Sequence, residues 1–272
     1  MKKLISVLAL ALVMPMTAIA AGGGNVQLQQ ANVDIGSHAA IQRGAKYFVN
    51  YCMGCHSAKY VRYKLMTEVG LSENDIKDNL MFAGGKVGDL MTIAMPDADA
   101  GAWFGAAAPD LTLTARIKHG GADWLYTYLK GFYTDPSRPM GVNNTVFPNV
   151  GMPHVLWELQ GIQEPVYRFE VHHEGHTVAS FDSEAEAGAY VNEHGDGYRL
   201  ERVVDSLKLV QPGSMTAAEY DLVARDLATF LTYISEPMKL ERQRIGIWAM
   251  LFLVVFTIIA YLMKKEWWKD VH

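Results

Sequence analysis

Cys52-Met53-Gly54-Cys55-His56 decides the reading of this chain, because it holds the only two cysteines in 272 residues. Spacing of the form Cys-x-x-Cys-His is read as attachment of a c-type haem. The reason is geometric. On a helical turn, positions 52 and 55 share a face, so both sulfurs can add to the two vinyl groups along one edge of a haem. His56, next in the chain, can then turn a ring nitrogen onto the iron. A disulfide between residues three apart would be strained. Structural zinc needs four ligands, commonly with a second Cys or His pair at similar spacing, and no further Cys exists. A thioredoxin-like pair would need a strand and βαβ surroundings. The stretch before the motif, Ala39 to Tyr51, instead places Ile41, Gly44, Ala45, Phe48 and Tyr51 in helical rhythm. No second Cys-x-x-Cys-His run is present, so one covalently bound haem c is expected.

The second side of the iron needs a ligand from elsewhere. Met152 lies in Phe147-Pro148-Asn149-Val150-Gly151-Met152-Pro153-His154, a loop punctuated by Gly and Pro. Gly permits close backbone approach and Pro fixes direction, which suits a ligand better than core filling. Met95, before Pro96, and Met140 remain open as alternatives, since methionine is often only an adaptable packer. His56 also needs an acceptor on its other ring nitrogen to set its tautomer. The run Ala106 to Leu111 offers the backbone carbonyl of Pro109. Haem propionates need cationic partners, and Arg116 is a candidate by charge and position, or else a plain surface arginine. His172, His173 and His176 flank Glu174-Gly175 in an alternating stretch, which reads as a solvated hairpin rather than a metal site.

The ends carry a different message. Lys2-Lys3, an apolar run from Leu4 to Met14 and Ala18-Ile19-Ala20 make the three parts of an exported signal peptide over residues 1–20. From Ile245 to Met263 no residue is charged, and about 28 Å of helix would result, enough for a hydrocarbon core. Trp248, Tyr261, Trp267 and Trp268 sit near its ends, as interfacial aromatics do. The expected plan is therefore an exported cytochrome domain over 21–240, an anchor over 241–263 and a cytoplasmic tail over 264–272. The signal peptide sets the orientation, with the haem domain in the periplasm and the anchor in the inner membrane. Residues 21–240 hold 17 Lys and Arg against 26 Asp and Glu, a surface unsuited to nucleic acid but able to steer a basic partner.

Between the ends, Ser72-Glu73-Asn74-Asp75 and Thr216-Ala217-Ala218-Glu219 have the form of capping boxes, each opening a helix. Another helix is expected over about 122–132, and residues 83–109 and 133–164 read as loop. A hairpin followed by a short helix from Ser183 makes a small unit over about 165–204, which looks like an insertion. The fold class expected is mainly α: a cytochrome c fold with this hairpin-plus-helix insertion and one C-terminal membrane helix.

Several runs taken in order resemble the cytochrome c1 family: Gln42 through Cys52 and on to Arg62-Tyr63, Pro109-Asp110-Leu111 with Arg116, His119-Gly120-Gly121, and Phe147 through Pro153. The single C-terminal anchor fits as well. The resemblance covers the chain after residue 20 except the insertion. It implies that His56 and Met152 are the axial ligands and that Arg116 lies at a propionate. It further implies a bacterial-type haem subunit of quinol–cytochrome c reductase, a proton-translocating oxidoreductase. Such a subunit accepts an electron from a Rieske iron–sulfur subunit, sits beside cytochrome b and reduces a soluble cytochrome c. An independent membrane-anchored cytochrome c, serving a terminal oxidase or reductase, is the alternative.

Overall fold

The computed structural model describes residues 27–270; the signal peptide expected over 1–20 lies outside the described residues. Helix α1 (His38–Tyr47) starts where the Ser37 hydroxyl accepts a hydrogen bond from the Ala40 amide. Its inward residues Ile41, Gly44 and Ala45 are buried, matching the rhythm of the sequence. The chain does not stay α-helical up to the cysteines. Over Phe48–Cys52 it widens into one π turn, closed by the Met53 amide on the Phe48 carbonyl at 2.9 Å. Such a turn inserts one extra residue and re-aims the residues after it, here the Cys-x-x-Cys-His segment.

Helix α1 crosses a long helix near the other end of the domain, which we label α8 (Ala217–Ser235). A capping box starts α8: the Thr216 hydroxyl accepts from the Glu219 amide, and Glu219 returns a carboxylate to Thr216. At the crossing, Gly44 meets the backbone of the partner helix. A Cβ built there would stand 2.1 Å from the Asp226 carbonyl oxygen and 2.6 Å from Phe230 Cβ. Phe48 and Phe230 pack with ring centroids 5.3 Å apart, both fully buried. Burial of a side chain of this size contributes about 1.5–3 kcal/mol. Arg43 closes the crossing with a two-pronged bond to the buried Asp226 carboxylate, at 2.6 and 2.9 Å.

Between these helices the chain builds the surroundings of the motif. Strand β1 (Ala58–Arg62) pairs with β2 (Leu90–Met91), with a 3-10 turn (Tyr63–Val69) and α2 (Glu73–Leu80) between them. The capping box at Ser72 and Asp75 is made in full. Residues 83–109 are not all loop: α3 (Asp97–Phe104) follows Pro96, with Asp97 and Asp99 in its first turn. Carboxylates there favour a helix N-terminus, a local signal that the Gly- and Ala-rich composition obscures. A short turn α4 (Thr114–Ile117) leads to α5 (Gly121–Lys130), and both pack on α8. Residues 133–164 also hold structure, since β3 (Phe132–Thr134) pairs with β4 (Val142–Asn144) and α6 (Trp157–Gln160) follows.

The insertion is a three-stranded antiparallel sheet in the order β6-β5-β7, with α7 laid against it. Its elements are β5 (Gly161–His173), β6 (His176–Phe181), α7 (Glu184–His194) and β7 (Tyr198–Pro212). Pairing runs from Gly161↔Pro212 to His173↔Tyr198, so the unit reaches beyond 165–204 at both ends. Glu174 and Gly175 both take positive φ, 51° and 82°, as a tight hairpin turn requires. Last comes α9 (Lys239–Trp267), 29 residues long, and it alone among the described residues is long and apolar enough to cross a membrane.

Candidate functional site

The turn after α1 carries the motif. Amides of Cys55 and His56 both return to the Cys52 carbonyl, at 3.1 and 2.9 Å. Neither cysteine is in a disulfide; Cys52 is buried and Cys55 half-buried. Burial, with Cys55 beside it, pushes the free Cys52 thiol up to about 12, so it is neutral at physiological pH.

His56 is buried and its Nδ1 lies 2.7 Å from the carbonyl oxygen of Pro109. A carbonyl can only accept, so Nδ1 carries the proton and Nε2 keeps its lone pair. Burial lowers the imidazole pKa, outweighing the Pro109 carbonyl and the nearby Asp110, which favours the neutral ring. Among the described residues Nε2 has no hydrogen-bond partner. The Pro109 carbonyl is itself held in place. Leu111 donates to the Ser57 carbonyl at 2.9 Å, and the Lys59 amide donates to Asp110 at 2.7 Å. Two chain segments some fifty residues apart are thus laced together directly beside the motif. A buried neutral imidazole with one free lone pair, beside two unbridged thiols, fits a haem c.

Met152 sits half-buried in the loop before α6, and its sulfur accepts a hydrogen bond from the Tyr128 phenol at 3.3 Å. This loop is held by side chains that the motif reading did not single out. Asn144 is fully buried; its Oδ1 accepts from the amides of Val146 and Phe147, and its Nδ2 donates to the Tyr128 carbonyl at 2.8 Å. Asn143 Oδ1 accepts from the Asn149 amide at 2.8 Å, while its Nδ2 donates to Asp135. Arg138 reaches the Asn149 side chain and carbonyl at 3.1 and 2.9 Å. Asn143-Asn144 in sequence is the one available hint, since adjacent amides favour local backbone bonding.

The other sequence candidates fall elsewhere. Met95 and Met140 are half-buried in loops, and neither sulfur accepts a hydrogen bond among the described residues. Arg116 is exposed on α4 and pairs with Glu236 at 3.5 Å. His172 lies between Glu170 and Glu201, at 3.6 and 3.4 Å, in the hairpin. His173 stacks on Tyr198 with centroids 4.2 Å apart. Among the described residues there is no cluster of three or more His, Cys, Asp or Glu able to hold a metal ion.

Residues 32–271 match the model of the Cytochrome C1 family. The chain is 48% identical to cytochrome c1 of Allochromatium vinosum over the whole of both chains. It is 38% identical to the ammonia monooxygenase gamma subunit of Nitrosomonas europaea, over 99% of this chain and all of the relative. To cytochrome c1 of Rhodospirillum rubrum it is 28% identical, covering 85% and 81% of the two chains. The mainly helical fold, with its small sheets and one long apolar C-terminal helix, is consistent with these matches. Matched almost end to end, the chain belongs to the cytochrome c1 family, and its work is haem-based electron transport in a respiratory chain.

Proposed function

We propose that this chain is the haem-bearing electron-transfer subunit of a quinol–cytochrome c reductase. It accepts one electron from the Rieske iron–sulfur subunit and passes it to a soluble cytochrome c. The observation that carries the reading is His56, whose Nδ1 is committed to Pro109 and whose Nε2 is left free beside Cys52 and Cys55. When bound, haem c supplies one-electron redox chemistry. The chain's part is to hold, orient and shield. Cys52 and Cys55 would carry the thioether links, and His56 and Met152 the two axial bonds. Pro109 fixes the imidazole ring plane. Arg116, exposed and 3.5 Å from Glu236, would exchange that surface partner for a propionate. Met ligation raises the potential relative to two histidines, suiting an acceptor of quinol-derived electrons.

The span within α9 would anchor the chain beside cytochrome b, with residues 21–240 in the periplasm and the tail from 264 in the cytoplasm. Co-purification in mild detergent tests the whole reading. A cytochrome b and an iron–sulfur protein should accompany the chain, in a sample showing one covalent haem per chain. Isolation as a lone monomer would instead favour the independent membrane-anchored cytochrome.

A further inference from the structure

We propose that Tyr128 is a positioning residue for the iron ligand: its phenol, hydrogen-bonded to the sulfur of Met152, holds the thioether in one orientation and draws electron density from it, keeping the site easier to reduce. This rests on the reading of Met152 as an axial ligand. A thioether sulfur has two lone pairs. One can serve iron while the other accepts the Tyr128 hydroxyl, so the 3.3 Å contact is compatible with ligation rather than a competitor to it. Sulfur that shares a lone pair with a donor is a weaker electron donor to iron, which disfavours the ferric form.

Three features separate this contact from ordinary packing. First, the direction of the phenol is set without the sulfur: the ring stacks on Trp124 at 4.9 Å and meets Phe132 edge-on at 5.2 Å. Second, the Tyr128 carbonyl accepts from Asn144, the same side chain that holds the amides of Val146 and Phe147 in the Met152 loop. Helix α5 and the loop therefore keep one spacing at two points, one backbone and one side chain. Third, the side chains of Asn143, Asn144 and Arg138 hold the loop no further than Asn149, and the Tyr128 phenol is the partner that reaches the Met152 side chain itself. Tyr63 makes a similar bond to Met53 at 3.4 Å, but Met53 lies inside the attachment motif and has no ligand role to tune. Outer-shell hydrogen bonds to metal ligands are a recognised means of setting orientation and potential.

The test uses the full-length chain in its membrane complex, with Y128F and M152L made separately. Y128F keeps the ring and its stacking. Its haem should remain attached, while the ferrous-to-ferric ratio at a fixed ambient potential falls by about two- to tenfold, the span of a typical hydrogen bond's net worth. The methionine-to-iron charge-transfer band should shift, and carbon monoxide should bind the ferrous form faster. A purely structural role would move the melting temperature and leave the redox titration unchanged, which overturns the proposal. M152L separates the two levels. If it keeps the charge-transfer band, the ligand assignment fails and the proposal with it. If it loses the band while Y128F titrates like the unaltered protein, the tuning role alone is wrong. Should Y128F fail to accumulate, resonance Raman of the unaltered protein decides: the iron–sulfur stretch should shift after full exchange into D2O, and no shift overturns the proposal.

Discussion

The two sides of the proposed iron site are built by different means. His56 is placed by backbone: a π turn, two amides on one carbonyl, and a ring nitrogen on the Pro109 carbonyl. Met152 is placed by side chains drawn from elsewhere, with Asn143, Asn144, Arg138 and Tyr128 all reaching toward its loop. Backbone restraints change little when a side chain is altered. A side-chain network loses several bonds when one member goes. The histidine side should therefore fail only with the fold, and the methionine side should fail first and alone.

The largest effect should follow Gly44→Ala, which attacks the histidine side through its scaffold. The added carbon would stand 2.1 Å from a backbone oxygen, so α1 and α8 must move apart. We expect a loss of about 2–3 kcal/mol, as for overpacked cores, measured by denaturant unfolding. Haem attachment and both axial bonds should weaken together. If the methionine bond alone weakened, the contrast between the two sides would be misplaced.

Asn144→Ala should have the next largest effect and act on one side only. It strands the amides of Val146 and Phe147 and the carbonyl of Tyr128, at a cost of about 2 kcal/mol. Carbon monoxide should then bind the ferrous form readily while His56 stays on the iron. Binding as poor as in the unaltered protein would show that the loop is held by something other than this amide.

The smallest effect is acid-dependent. Bonds from Ser137 and Asn143 hold the Asp135 carboxyl below its ordinary 3.8. A depressed folded pKa means the ionised carboxylate stabilises the fold above about pH 4, and this contribution fades as pH falls through the folded value. The charge-transfer band should thus fade below pH 4 before haem attachment or helix content changes. Asp135→Asn should flatten that acid limb, and an unaltered limb in this variant would assign the loss to another carboxylate.

The same contrast explains what could be read from sequence. The motif, the rhythm of α1, both capping boxes and the Glu174-Gly175 turn are legible because each is local, with partners within a few residues. Residues 133–164 read as loop because the β3–β4 pair joins Phe132 to Asn144 across a Pro- and Gly-containing excursion, and three-residue strands carry too little alternation. The extent of the insertion was hidden for a related reason. Ile162 to Glu164 pairs with residues over forty positions away, and only that pairing makes it strand. At the site, Pro109 could be nominated because a carbonyl is all His56 needs. The partners of Met152 could not, because Asn144 and Tyr128 act through contacts set by the meeting of α5 with a loop.

One short stretch has a mechanical consequence. Between α8 and α9 lie only Glu236, Pro237 and Met238. Fully extended they span about 10 Å, and the proline ring removes one torsion from that reach. Glu236 stiffens the joint further by receiving Arg242 at 2.6 Å from α9. This is a mast rather than a leash. With α9 in a bilayer, the height of the domain above the lipid would be set to within a few ångströms, so a mobile partner would have to come to it.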